Sequence, residues 1–572
     1  MSPVNAPAAV FAVMLIVGSI VPAVFAEPKP TEADLILNNG KFVTLEKTRP
    51  EAAAMAISGD TIMAVGDAAE IATMAGESTR TIDLGGRLVL PGLIESHAHL
   101  LGLGQARLKL DLVGTHSEAE IVALVVDRAA AIPKGRWILG RGWDQNDWRN
   151  TAFPTHRSLS RAAPDHPICL TRVDGHMVWI NAKAMELAGI SADTPDPKGG
   201  RLERGEDRAP TGLLLDNAIE LVSAVIPDPT RDELKEALLL AIRECNSLGI
   251  TSFHDAGAGR EIIGLYEELI AEGQLTLRLN VMLTGTDRSL LQEYYLSGPR
   301  LDLEKHLLTV RSIKLFADGA LGSRGAALLE DYADDPGNRG LYIESEDRLF
   351  RVSYQALDYG FQVCTHAIGD GANRRVLDAY ERAFKSRRVG IDRRFRIEHA
   401  QILDEADIPR FEKLGVIPSM QAQHCTSDMP WVPQRIGDLR AAEGAYVWQK
   451  LLALGLPIPN GSDAPVESVD PLLGIYAAVT RQDREGNPPG GWYPDQCMTR
   501  TQAIESFTIH GAYASFEEEI KGRLKPGMLA DLVVFSKDIT TIPAKEILEA
   551  RVLATIVGGQ VVYDRLGGDS GK

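Results

Sequence analysis

Two histidines one residue apart, His97-Ala-His99, are the first feature of this sequence that could do chemistry. They end the run Leu90-Pro-Gly-Leu-Ile-Glu-Ser-His97, which has strand character, and residues two apart on a strand share a face, so both imidazoles could hold one metal ion. A lone His-x-His pair is more often incidental. Here four more groups stand at or near the ends of short apolar runs: Lys314 in Ser312-Ile-Lys-Leu-Phe316, His366 closing Phe361-Gln-Val-Cys-Thr-His366, His399 closing Arg396-Ile-Glu-His399, and Asp463 just after Leu456-Pro-Ile-Pro-Asn460. Independent buried histidines have no reason to collect at strand ends, so a metal site built from several strands accounts for them best. A divalent ion held this way lowers the pKa of its water from near 16 to about 7 and polarises a carbonyl.

Such a site needs a scaffold that brings several strand ends together. Between the four runs and His97 lie further strand-like segments, Ile250-Thr-Ser-Phe-His254, Leu277-Arg-Leu-Asn-Val-Met-Leu283 and Val416-Ile-Pro-Ser-Met420, for eight in all. Amphipathic stretches such as 231–243 and 373–384 alternate with them, the pattern of parallel strands with helical crossovers. The expectation is an α/β protein with a (β/α)8 TIM-like barrel over 90–519, whose C-terminal strand ends form one pocket. The gap between the first and second strands exceeds one crossover, which places an insertion at about 135–225 over the barrel mouth. Short strands near both termini, at 33–89 and 520–566, are each too few for a good core. They should meet as one small composite β-sandwich domain.

Composition narrows the function classes. Sixty Lys+Arg against 78 Asp+Glu give a net charge of −18, which argues against a nucleic-acid groove or an anionic membrane face. Hydrophobic residues at 45% and charged residues at 24% exclude a disordered or fibrous chain. The five cysteines have no CxxC pair, so neither a disulfide framework nor a cysteine zinc module is implied. Residues 1–26 carry no charged side chain, contain an apolar core and end in small residues, which reads as an export signal cleaved after Ala26; an uncleaved anchor is the alternative. The expected location is therefore periplasmic or secreted, with no stable membrane insertion after cleavage.

At this point the sequence resembles the amidohydrolase superfamily, and within it the branch of N-substituted formamide deformylase-like metal-dependent hydrolases. The resemblance runs from about Ala33 to Asp564 and rests on 90–99, Lys314-Leu-Phe-Ala-Asp-Gly-Ala-Leu-Gly-Ser-Arg324, His366-Ala-Ile-Gly-Asp-Gly-Ala372, Ile397-Glu-His-Ala-Gln401, Gly461-Ser-Asp-Ala-Pro465 and 525–534. It implies that His97 and His99 bind the more buried metal, that Lys314 is carboxylated to bridge two metals, that His366 and His399 hold the second, and that Asp463 is both ligand and catalytic base. Glu95 stands where many members have Asp. A residue-level alternative for Lys314 is an ammonium paired with a carboxylate such as Asp318.

Asp144, His176, Asp318, Arg324, His424 and Trp431 are weaker candidates for substrate contact. His176 could equally be an ordinary surface histidine, Arg324 could serve a neighbouring acid, and the tryptophans 137, 143, 148 and 179 suit core packing as well as a substrate shelf. His254 ends the second strand with no counterpart in the ligand set. The reading that follows is a hydrolase using one or two divalent ions, zinc expected, on a C–N bond of an amide-like or N-substituted formamide-like small molecule. The same site would serve an ester, lactone or phosphoester, and a non-catalytic exported binding protein is the remaining alternative. No nucleic-acid partner is expected; a homodimer is one assembly open to the chain.

Overall fold

The computed structural model describes residues 32–173, 175–387 and 392–567, so the expected leader lies outside the described residues. Seven parallel strands follow one another around a barrel: Leu93–Ala98, Ile250–Ala258, Arg278–Thr284, Leu308–Phe316, Gln362–Ala367, Arg396–His399 and Ile417–Ser419. Helices on the outside fill the crossovers. Arg231–Ser247 is typical: a Thr230/Glu233 capping box starts it, and Leu234, Leu238, Ala241, Ile242 and Cys245 face the barrel core.

The expected eighth strand is the departure. Residues 456–460 form no regular ladder, because Pro457 and Pro459 have no N–H to give. The barrel is closed instead by single bonds: Met420 N donates to Pro459 O at 3.0 Å, Ser96 N to Asn460 O at 3.1 Å, and His99 N to Ala464 O at 2.9 Å. This irregular stretch carries Asp463.

Strands from both ends of the chain share a sheet. Leu88–Pro91 pairs antiparallel with Leu532–Phe535, which pairs with Val552–Val557, while Lys41–Val43 flanks the other side. A second sheet, 33–38, 54–58, 61–66 and 75–83, closes over a core of Leu35, Phe42, Ile57, Val89, Leu532 and Ile556. The run 90–97, read as one strand, is therefore two. The chain passes from the small domain into the barrel at Gly92, where a β-carbon would lie 2.2 Å from Thr251 Oγ1.

The insertion is a six-stranded sheet that starts at Leu110, earlier than the expected 135. Trp143, Trp148 and Trp179 pack into its core with ring centroids 6.0–6.1 Å apart, so these three are packing residues. Trp137 is half-buried against the opposite face of the sheet.

Candidate functional site

His97 lies inside the first strand and His99 just beyond it, at the N-cap of the helix Leu100–Leu108, with extended backbone that keeps the two-residue alternation. Asp463 is brought to them from the barrel's closing stretch: its N–H donates to His97 O at 2.8 Å, and its Oδ1 lies 3.3 Å from His99 Nε2 and 3.5 Å from His97 Nε2. Asp463 holds φ +57°, an uncommon conformation for a residue with a β-carbon and one that turns its carboxylate into the barrel. Buried Glu95 pins the two segments together by accepting from His97 N at 2.9 Å and Ser462 N at 3.0 Å. Burial pushes the Glu95 carboxyl up to about 8.

His366 and His399 come from the fifth and sixth strands, their ring centroids 4.5 Å apart, with His399 5.0 Å from His97. In a regular strand His399 would face away from Glu398; φ +73° at His399 turns it toward the mouth. Its Nδ1 lies 2.7 Å from Gln421 Oε1, so it carries the proton and Nε2 is left with a lone pair. His366 Nε2 is buried with no hydrogen-bond partner. Burial and the neighbouring Lys314 push His97 down to about 4 and His366 down to about 3, so both are neutral at pH 7, the form that binds metal. Burial pulls toward the protonated acid at Asp463, but contacts with His424 and His99 outweigh it and hold the carboxyl well below its usual range.

Lys314 is buried, its Nζ 3.0 Å from His97 Nε2, and burial lowers its pKa despite Glu398 and Asp463 nearby. It does not pair with Asp318. That carboxylate accepts from the backbone N–H groups of Ala327, Ile368 and Gly369 at 2.8–3.0 Å, knitting the loops after the fourth and fifth strands together beneath His366. Asp318 thus organises the loops, and its Oδ1 also lies 3.5 Å from His366 Nε2.

Among the described residues, two sets of three groups have donor atoms within reach of one ion: His97, His99 and Asp463, and His399, His424 and Asp463. The nitrogen and carboxylate donors, and the orphaned Nε2 of His366, fit a divalent ion such as zinc. His424, read from sequence as a substrate contact, sits instead between Asp463 Oδ2 at 3.6 Å and Glu467 Oε1 at 3.7 Å. Burial opposes its charge, but those two carboxylates raise its pKa to about 10.

The other candidates are engaged elsewhere. Arg324 makes a two-pronged bond to Asp334 at 3.1 and 2.9 Å, the neighbouring-acid alternative. Asp144 pairs with Arg172, and His176 with Asp216 at 2.9 Å. Trp431 lies over Gly322 in the loop after the fourth strand, 3.3 Å from where a β-carbon there would stand. Sequence reasoning missed Glu398, Arg396 and Gln421, which hold the histidines from below. The available signal was the two-residue spacing of Arg396 and Glu398, the same spacing as His97 and His99.

The amidohydrolase family profile matches residues 80–563. A putative amidohydrolase, YtcJ, of Bacillus subtilis (strain 168) is 34% identical over 494 residues, covering 85% of this chain and 91% of its own. N-substituted formamide deformylase of Arthrobacter pascens is 27% identical over 547 residues, 93% of this chain and 99% of its own. Among solved structures, an uncharacterized metal-dependent hydrolase from Pyrococcus furiosus superposes with a TM-score of 0.73 at 28% identity, over 89% of this chain and 100% of that one. The matched span contains all the barrel strand ends described above, and the chain belongs to the amidohydrolase family.

Proposed function

We propose that this hydrolase is metal-dependent and cleaves a C–N bond in an amide-like or N-substituted formamide-like small molecule. The observation that carries the reading is the convergence of His97, His99, His366, His399 and Asp463 on one point at the C-terminal end of the barrel. His97, His99 and Asp463 would hold one ion. His366 and His399 exceed what one tetrahedral ion needs and would hold a second, with Lys314 as a carbamate between them. A buried amine whose pKa burial lowers suits that modification, since the neutral amine is the form that adds carbon dioxide.

A bound divalent ion supplies activated water at neutral pH and polarises the substrate carbonyl. The protein's own residues do the rest. Asp463, ionised at neutral pH, accepts a proton from the attacking water and delivers it to the leaving nitrogen. His97 and His399 are held in one tautomer by Glu398 and Gln421, which leaves the Nε2 lone pair of each free for an ion. The name of the Arthrobacter pascens relative supports formamides as the first substrates to try.

The test is a turnover screen on metal-loaded protein with amide and ester pairs that share an acyl group, including N-substituted formamides. Faster turnover of the C–N member is expected. Turnover of esters, lactones or phosphoesters alone would replace the C–N assignment, and no turnover of any pair would favour a binding protein.

A further inference from the structure

Beneath the histidines the barrel interior is charged, where layers of aliphatic side chains are the usual filling. Arg396 and Glu398 of the sixth strand are both fully buried. Arg396 Nε lies 2.7 Å from Glu398 Oε1, and its Nη2 donates to Glu398 Oε2 at 2.9 Å, to Ser419 Oγ at 2.8 Å and to Ser96 O at 2.6 Å. Its Nη1 donates to His254 Nδ1 at 3.0 Å. One guanidinium thus joins the first, second, sixth and seventh strands, and His254 acquires a place in the molecule.

A buried ion pair is a poor way to gain stability, because desolvating both charges costs about as much as their attraction returns, and apolar replacements are often neutral or stabilising. Its geometry suggests another use. Glu398 Oε2 lies 2.5 Å from His97 Nδ1. An ionised carboxylate can only accept, so Nδ1 carries the hydrogen and Nε2 keeps its lone pair. That Nε2 is the atom facing Lys314 and Asp463. Glu398 Oε2 also accepts from the guanidinium Nη2, and Oε1 lies within ion-pair distance of its Nε, so the carboxylate is held between Arg396 and His97. A ligand histidine aimed by a carboxylate is a more basic and better oriented donor.

We infer that Glu398 is a positioning residue for His97, that Arg396, seated against His254, locks its carboxylate in place, and that this unit sets the affinity for the ion held by His97, His99 and Asp463. The inference rests on the metal-dependent reading above. It differs from a packing role in what it predicts for the metal.

Wild type, Glu398→Gln and Glu398→Asp are stripped of metal, checked for native near-UV dichroism, and titrated with Co²⁺ against a chromophoric chelator while the ligand-field absorption is recorded. Glu398→Asp keeps the charge pair with Arg396 but withdraws the carboxylate from His97 by one methylene, so it covers the case in which Glu398→Gln, leaving Arg396 unpaired, fails to fold. Each folded variant is expected to bind one cobalt about 10–100-fold more weakly, with a changed absorption band. Unchanged affinity and spectrum in a folded variant would overturn the positioning role alone. Wild type that takes up no cobalt would overturn the metal reading and this role with it.

Discussion

The barrel mouth and the inserted sheet use the same residue types to opposite ends. At the mouth, His97, His399 and Lys314 are at most 4% exposed; Glu398 and Gln421 take the Nδ1 hydrogens of the two histidines, and each Nε2 keeps a lone pair, that of His97 facing Lys314. In the inserted sheet the side chains of His176 and Asp216 are 77% and 54% exposed and meet each other. Burying polar groups with lone pairs left over is costly, so it persists where something else completes them. Pairing on a wet surface needs no such explanation. Histidine and aspartate therefore mark a reactive centre by being buried and incompletely satisfied, and the residue type alone does not distinguish the two regions.

The sharpest way to break this comparison is to remove the group on which both donor sets depend. Asp463 belongs to each set of three and is the proposed proton carrier. Asp463→Asn should lower kcat about 10²–10⁴-fold, the scale of a lost general base, and His97→Ala should lose bound metal together with activity. Steady-state kinetics and elemental analysis on the same preparations check both. A fully active Asp463→Asn protein would place the chemistry elsewhere.

A second, smaller effect separates one ion from two. Lys314 lies against His97 but belongs to neither set of three, as expected of an amine that joins a metal site only after carboxylation. Lys314→Ala should leave one ion at His97, His99 and Asp463, lose the other, and recover part of its activity with small carboxylates that fill the gap. Retention of both ions with wild-type turnover would make Lys314 a hydrogen-bond partner of His97 and nothing more.

How much of this was visible in the sequence follows the same division. Runs ending in His97, His366 and His399 were legible because a strand end is a local pattern, and seven of the eight expected strands form. The eighth was misjudged because an apolar run is not a strand when Pro457 and Pro459 remove its donors. The join at Gly92 was invisible because the two halves of 88–98 belong to different sheets, one paired with Leu532–Phe535 and the other with Ile250–Ala258. The partners of Asp318 and Arg324 were out of reach for a related reason. Their partners, Ile368, Gly369 and Asp334, are fixed by how loops fold back, which spacing does not encode. Glu398 escaped because its importance comes from His97 across the barrel.

Acid and alkali provide a third test, on stability. His97 at about 4, His366 at about 3 and His510 at about 4 all lie below the ordinary 6.5, and burial is the leading cause in each. The unfolded chain binds more protons than the folded one between those values, so their contribution is complete above about 6.5 and is lost as pH falls toward 4. Glu95, raised to about 8 by burial, has the opposite sign: its contribution is present below 4.5 and is lost as pH rises through 8. The melting temperature of metal-free protein should therefore peak near neutrality and fall on both sides. Glu95→Gln should make the alkaline limb shallower between pH 6.5 and 8, where His424, raised to about 10, also loses its contribution, and leave the acid limb in place. An unchanged alkaline limb would show that Glu95 is ionised in the folded protein.

The smallest expected effect sharpens the comparison from the other side. If exposed, mutually satisfied pairs are surface chemistry, then His176→Ala should leave kcat/KM within about twofold and the melting temperature nearly unchanged, as for exposed ion pairs generally. Asp144→Ala should act on folding rather than on catalysis. Asp144 Oδ1 accepts from Asn146 N at 2.9 Å at the start of a short helix and also pairs with Arg172, so its loss should cost about 1 kcal/mol through the missing cap. Chemical denaturation and steady-state kinetics on each variant read the two effects separately. A loss of tenfold or more in kcat/KM for His176→Ala, with stability unchanged, would bring the inserted sheet into contact with substrate, and exposure in the unliganded protein would no longer separate the two regions.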